Sequence, residues 1–281
     1  MESAASFNRL ELLTGRDALE RIHVASVIVF GIGGVGSWCA EALVRSGIKK
    51  LTIVDSDRIC VTNINRQIQA TTDTVGMVKV EVLRERLLAI NPLAQIEALE
   101  KIYDRSTADT FDLSRYDYCI DAIDSLSSKV ELILQAHAAG CKVYTALGAA
   151  CKLDPTRIRI ASLWKSQGCH LGRFVRKRLR RRDFNGDVTC VYSEELVENQ
   201  GSRGGCGTQQ CFCPESDDPE NPNHEWCSMK KQINGSAVHI TGVFGFFLAG
   251  MVVQDILKHC PPSTPLLSEP DETVSEPATT H

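Results

Sequence analysis

The sequence has no excess of positive charge, no C-x2-C cysteine pair, no internal repeat, and no basic segment leading into an apolar leader over residues 1–13. Each absence removes a class. A formal net charge of -4 over 281 residues excludes a protein that coats nucleic acid through its overall charge, so any such contact has to come from a local patch. The missing leader and the absence of an A-x-A-like cleavage site give no secretory signal, and the chain reads as cytoplasmic. Twelve cysteines are too dispersed for a disulfide scaffold and read mostly as small buried hydrophobes. Cys206, Cys211, Cys213 and Cys227, with His224, offer soft ligands that suit zinc, but the C-x4-C-x-C spacing departs from a zinc ribbon and leaves metal binding there open. One apolar run, SAVHITGVFGFFLAGMVV at 236–253, approaches membrane-spanning length. It contains His239 and has no stop-transfer pattern, so it reads as a buried or interface helix and no membrane association is expected.

What is present is an ordinary globular composition, 43% hydrophobic and 23% charged, enough for one large α/β core. VASVIVF (24–30) is a short β-rich run that ends at glycines, and helical spacing follows it. KLTIVD (50–55) is the next strand. The segment from Asp55 to Gly76 is too rich in Asn, Thr and Asp for a core strand and reads as a functional loop. A helix is expected over 77–90, stopping at Asn91-Pro92, then strands at 95–99 and 116–123, a helix at 128–139 and a strand at 142–146. This alternation predicts an α/β fold: a Rossmann-like, mostly parallel sheet with helices on both faces over residues 1–150. Residues 151–260 read as a C-terminal α+β extension: strands at 157–161 and 188–193, a basic helix at 171–182, a Cys-rich loop at 200–227 and an apolar final helix at 236–258. Residues 261–281, rich in Pro, Ser, Thr and Glu, are expected to be disordered.

The chemistry starts at GIGGVGS. Gly31, Gly33 and Gly36, with Gly34 between them, fit G-x-G-x-x-G between a strand and a helix, where backbone amides and the helix dipole attract phosphates. Asp55, at the end of the second strand, is placed to accept hydrogen bonds from ribose hydroxyls. A nicotinamide dehydrogenase would share all of this. It would not need the loop TNINRQ, with Asn63, Asn65, Arg66 and Gln67, or Lys79 beyond it. Splitting a triphosphate does need such cations, because charge builds on the bridging oxygen and the departing pyrophosphate. Asp124 in DAIDS, with Ser125 beside it, falls on the same carboxyl edge, where a carboxylate can hold Mg2+ against phosphate oxygens. The set points to ATP.

GIGGVGS, VDSD, TNINRQ, VGMVK and DAIDS, in this order and spacing, resemble the superfamily of adenylating enzymes that includes the ubiquitin-activating proteins and the molybdopterin-synthase adenylyltransferases. LDPTRIRIAS, RFVRKRLRRR, VTCVYSEE and GSAVHITGVFGFFLAG extend the likeness to the tRNA threonylcarbamoyladenosine dehydratases over about residues 5–258. The resemblance implies cleavage of ATP between the α- and β-phosphates to activate the threonyl carboxylate on a tRNA adenosine beside the anticodon, followed by intramolecular capture. It implies triphosphate contacts from Asn63, Asn65 and Arg66, charge stabilisation by Lys79, magnesium on Asp124, and a homodimer in which Arg9 reaches the neighbouring copy's ATP. An earlier arginine of the family is replaced here by Ser6. Arg173, Arg176, Lys177, Arg178, Arg180, Arg181 and Arg182 then read as contacts to tRNA phosphates.

A second reading is an adenylating activator of a ubiquitin-like or sulfur-carrier protein, with a sulfur-transfer partner; the basic helix favours RNA. SMKKQINGS stands where some bacterial dehydratases carry a cysteine linked to sulfur transfer, and Cys190 reads as a strand core residue rather than a thioester-forming thiol. A catalytically dead partner subunit is disfavoured, since every expected ATP residue is present.

Overall fold

Short runs rich in Val and Ile become the strands of a single sheet in the computed structural model, which describes residues 3–201 and 234–259. In chain order the elements are α1 (Ser3–Ser6), α2 (Asn8–Thr14), α3 (Arg16–Val24), β1 (Ser26–Phe30), α4 (Gly36–Arg45), β2 (Lys50–Val54), α5 (Lys79–Ile90) and β3 (Gln95–Leu99). They continue with β4 (Tyr118–Asp121), α6 (Leu126–Ala138), β5 (Lys142–Ala146), β6 (Ile158–Ser162), α7 (His170–Arg180), β7 (Thr189–Ser193) and α8 (Val238–Lys258). The seven strands lie in the order β3-β2-β1-β4-β5-β7-β6. Every pair is parallel except β6 with β7. The α/β expectation is met, and the extension after residue 150 continues the sheet through β7, which pairs with β5.

The central strands β1, β2, β4 and β5 are largely buried because both faces are covered, whereas the edge strands β3 and β6 carry exposed polar residues. One face is packed by α4, α5 and α8, and the other by α6 and α7. The direction of strand order reverses between β1 and β4, which opens a crevice at their carboxyl ends, the ligand position of open α/β sheets.

α8 lies along α4 as part of the core. A Cβ on Gly245 would stand 2.6 Å from the Val35 carbonyl oxygen and 2.8 Å from the Cys39 nitrogen, so only glycine permits this approach. The apolar run read as a buried helix is buried: Phe244, Leu248 and Val252 have no exposure. Near its far end, Asp255 accepts hydrogen bonds from the Tyr118 hydroxyl and the Lys142 ammonium. Burial works against the charged carboxyl, but these two donors hold it below its ordinary value. A group with a depressed folded pKa stabilises the fold above its unfolded pKa, and that contribution is lost as pH falls through the folded value. Stability is therefore expected to drop as pH falls below about 4, the ordinary carboxyl range. Asp255→Asn should be less stable at neutral pH and show a flatter acid limb in thermal melts; an acid limb identical to that of the unsubstituted protein would contradict this.

The N-terminal segment differs from the sequence reading, which expects no element before the strand at 24–30, whereas α1, α2 and α3 stand there. Val24 ends α3 instead of opening β1, and its side chain is exposed. α3 itself has no counterpart among the expected elements; it buries Ala18, Leu19 and Ile22 and leaves its charged face outward. The tail from residue 261 lies outside the described residues.

Candidate nucleotide site and basic helix

The glycine turn is set by sterics. Gly31 has φ +81°, and a Cβ there would meet the Ala122 carbonyl oxygen at 2.9 Å. At Gly36 a Cβ would fall 1.9 Å from the Gly31 carbonyl oxygen. The turn is thus pressed against the segment leaving β4 on one side and closed on itself on the other. At Gly33 the nearest atom to a Cβ would be Gln67 Nε2 at 3.7 Å, ordinary contact, so sterics within the protein do not demand glycine there. Gly36→Ala is expected to weaken ATP binding at least about fivefold, because an overpacked backbone contact costs about 1–3 kcal/mol or more. Calorimetric titration checks this, and an unchanged Kd would contradict it.

Asp55 ties β2 to the turn: its Oδ2 accepts from the Ile32 amide at 2.9 Å and its Oδ1 from the Asp57 amide at 2.9 Å. Gln69 Nε2 donates to the Ile32 carbonyl at 2.8 Å, so the Ile32 residue is held from both sides. Lys79, only 4% exposed, opens α5 with its ammonium 2.6 Å from Asp57 Oδ2 and 3.7 Å from Asp55 Oδ1. Two carboxylates share one ammonium. Burial pushes Lys79 down, but the carboxylates overcome it and hold the ammonium above its ordinary value. Burial raises the Asp55 carboxyl in turn, against the pull of Lys79.

Arg66 is half-buried, and its Cγ stands 3.2 Å from where a Gly34 Cβ would be. Nη1 donates to the Thr62 carbonyl at 2.7 Å and to Asn65 Oδ1 at 3.0 Å, while the Arg66 carbonyl accepts from Trp38 Nε1 at 3.0 Å. Burial lowers its pKa, opposed by Cys60 and Asp124. Arg66 also acts electrostatically on Lys79, so Arg66, Lys79 and Asp124 form one charge cluster around the glycine turn. Asn63 and Gln67 are buried braces: Asn63 Oδ1 accepts from the Cys60 amide at 3.0 Å, and Gln67 Oε1 from Gln69 Nε2 at 3.4 Å. Asn65 is exposed and donates through Nδ2 to the Ser236 carbonyl at 2.8 Å, linking the loop to the start of α8.

Asp124 and Ser125 are exposed at the rim, where Ser125 is the N-cap of α6. Beneath them, Asp121 Oδ2 receives Lys129 Nζ at 2.7 Å and Thr145 Oγ1 at 2.6 Å, and Oδ1 receives the Ile123 amide at 3.2 Å. The side chains of Asp121, Lys129 and Thr145 have no exposure. Removing one partner of such a pair costs about 3–5 kcal/mol, since it strands a buried charge.

On the far side of the sheet, α7 buries Gly172, Val175 and Leu179 and turns its cations outward. Their partners divide them. Arg176 is half-buried and donates to Ser166 Oγ, and Arg182 pairs with Glu131 at 3.2 Å. Arg180 lies over the Trp164 ring at 5.4 Å. Arg173, Lys177, Arg178 and Arg181 are exposed. An open cavity of about 450 Å³ is lined by Arg173, Arg176, Lys177, Arg180 and Arg181, with no carboxylate among them. Arg9 is exposed on α2, and Leu12 and Leu13 near it are each 82% exposed.

The profile of the ThiF family matches residues 7–274. The chain belongs to the ThiF family. Within that family it is 33% identical to the tRNA threonylcarbamoyladenosine dehydratase of Bacillus subtilis, over 90% of this chain and 94% of the relative. With the dehydratase of Haemophilus influenzae it shares 38% identity, covering 86% and 89%. The crystal structure of the Escherichia coli tRNA N6-threonylcarbamoyladenosine dehydratase in complex with ATP superposes with a TM-score of 0.75 at 32% identity, covering 91% of this chain and 95% of that one.

In this ThiF-family chain several supporting residues lie beyond the reach of the sequence reading: Asp57, Trp38, Gln69, Thr241 and the Asp121, Lys129 and Thr145 group. Asp57 lies within the VDSD motif, so its acidity is visible there although its partner is not. Lys129 has a signal too, a lone lysine in an otherwise inward-facing stretch of α6. Thr241, whose Cβ stands 3.2 Å from where a Gly34 Cβ would be, has none, because it arrives from α8. Among the described residues no group of three or more His, Cys, Asp or Glu could hold a metal ion. Cys206, Cys211, Cys213, Cys227 and His224 lie outside those residues.

Proposed function

We propose that this chain is an ATP-dependent tRNA threonylcarbamoyladenosine dehydratase. The observation that carries the reading is the glycine turn with Arg66 against Gly34, Lys79 on the Asp55 that braces it, and the segment leading to Asp124 against Gly31, in a chain alike to the dehydratases over most of its length. The phosphates rest on the turn, with Asp55 at the ribose; each of its oxygens still has a lone pair for a hydroxyl. A threonyl carboxylate oxygen attacks the α-phosphorus, the bond to the α–β bridging oxygen breaks, and pyrophosphate leaves. Arg66 and Lys79 stabilise the charge that builds on it. A nucleophile already tethered to the same nucleoside then attacks the activated acyl carbon, and AMP leaves with the carboxylate's oxygen. Tethering supplies a large effective molarity, so no enzyme nucleophile is required.

Mg2+ fits this donor set. The ion keeps several waters and binds through one or two carboxylates plus substrate phosphates, and Asp124 is an exposed carboxylate at the rim. Bound there, it would neutralise phosphate charge. The outward cations of α7 receive tRNA. The apolar face of Leu12 and Leu13 receives a second copy of the chain, so that Arg9 serves the neighbour's ATP; Leu12→Glu with Leu13→Glu is expected to give a monomer by sedimentation, and a dimer retained by that variant would contradict it. The cytoplasm is the expected compartment, since α8 is used as core.

Incubation with ATP, Mg2+ and tRNA bearing threonylcarbamoyladenosine, followed by mass spectrometry of the nucleosides, is expected to show a product lighter by one water. AMP release that depends instead on a sulfur-carrier protein would replace this reading with the second one.

A further inference from the structure

α7 carries an aromatic residue that the nucleotide site does not use. Phe174 is 46% exposed, and Lys177, Arg178 and Arg181 follow it at i+3, i+4 and i+7 on the same outward face. Arg173 lies 6.0 Å from the centre of its ring. A single exposed phenyl needs no explanation. This one is surrounded by cations whose charge the protein does not compensate: among the described residues, the ion pair of this segment is Arg182 with Glu131. Such a face is complementary to a polyanion. A polyphosphate backbone alone has no use for a flat apolar ring at its centre, and a duplex keeps its bases stacked inside. An unpaired nucleotide can lay its base on the ring while cations hold the phosphates on either side.

We propose that Phe174 is a stacking platform for an unpaired RNA base, flanked by phosphate contacts from Arg173, Lys177, Arg178 and Arg181. The proposal rests on the RNA reading of α7 above. Its place in the fold sets which part of the RNA it touches. Cys169, just before α7, accepts from the Gly148 amide at 3.4 Å beyond the carboxyl end of β5, and β5 lies two strands from β1. Two strand spacings are about 10 Å, and five helical residues add about 7.5 Å to reach Phe174. α7 thus starts at the carboxyl edge that also carries the glycine turn, and the base stacked on Phe174 belongs to RNA that reaches that end of the molecule.

The test uses the full chain, Phe174→Ala and Phe174→Tyr, with melting temperature as a check on folding. Binding is measured by fluorescence anisotropy to an RNA stem-loop with an unpaired loop and to a fully paired RNA of equal charge. The unsubstituted protein binds both. Phe174→Ala should weaken the stem-loop about 5- to 150-fold and leave the duplex affinity and the salt slope unchanged, and Phe174→Tyr should restore the stem-loop. 2-Aminopurine placed in the loop should be quenched by the unsubstituted protein and not by Phe174→Ala. Equal loss on both RNAs, or loss on neither, overturns the platform while leaving the cationic face standing. Failure of the unsubstituted protein to bind either RNA overturns the RNA reading itself.

Discussion

Lys79→Met is expected to slow formation of AMP in a single turnover by about 10²- to 10³-fold, the size seen when one preorganised donor is removed from a developing oxyanion. Before reaction the ammonium is held 2.6 Å from Asp57 and 3.7 Å from Asp55, so it is already desolvated and fixed beside the carboxylate that braces the glycine turn through the Ile32 amide. The same substitution leaves two carboxylates facing one another without a cation. That destabilises the fold, and a rate loss could come from the scaffold instead of the chemistry. Lys79→Met combined with Asp57→Asn separates the two, because it removes the carboxylate that Lys79 most closely balances. The double variant should regain melting temperature and remain as slow as the single one. Recovery of the rate along with the stability would contradict a chemical role for Lys79.

Charge reversal on α7 is the second large effect. Arg173→Glu, Lys177→Glu and Arg181→Glu together are expected to lower tRNA affinity at least about 10³-fold at physiological salt, by removing cations and adding repulsion. The slope of log affinity against log salt should fall by roughly 0.7–0.9 for each phosphate that is no longer neutralised. ATP affinity should not change. In the sequence Arg176 and Arg182 count as equal members of the tRNA set, but they differ in kind: Arg176 is bound to Ser166 and Arg182 to Glu131. Arg176→Ala should lower the melting temperature more than it lowers tRNA affinity. A triple reversal that binds tRNA as before removes α7 from the RNA reading.

The contrast within α7 shows what the sequence could carry. Spacing identifies a basic helix, because charge and periodicity are local properties. It cannot say which arginine finds a partner on α6 or on the turn before α7, because those partners are set by packing. The same division runs through the nucleotide site. The glycine turn is legible, since a strand, a tight turn and a helix need these glycines at this spacing. The central strands are legible because burial on both faces demands apolar runs. The hydrogen bond of Asn65 to the Ser236 carbonyl spans 171 residues, and no local pattern encodes it. The buried group of Asp121, Lys129 and Thr145 joins β4, α6 and β5; each residue alone looks like an ordinary polar position, and only the sheet order makes them neighbours. α3 is hidden for the opposite reason: its charged face dominates the local composition, and the three residues it buries are too few to mark it.

The proposed reaction turns on one event, a substrate carboxylate oxygen forming a bond to the α-phosphorus in this crevice. Heavy oxygen placed in the threonyl carboxylate of the modified tRNA follows that bond. After one turnover the AMP is expected to carry a single heavy oxygen and the pyrophosphate none. Label found in the pyrophosphate or released only as water, with unlabelled AMP, would mean that the carboxylate never met the α-phosphorus.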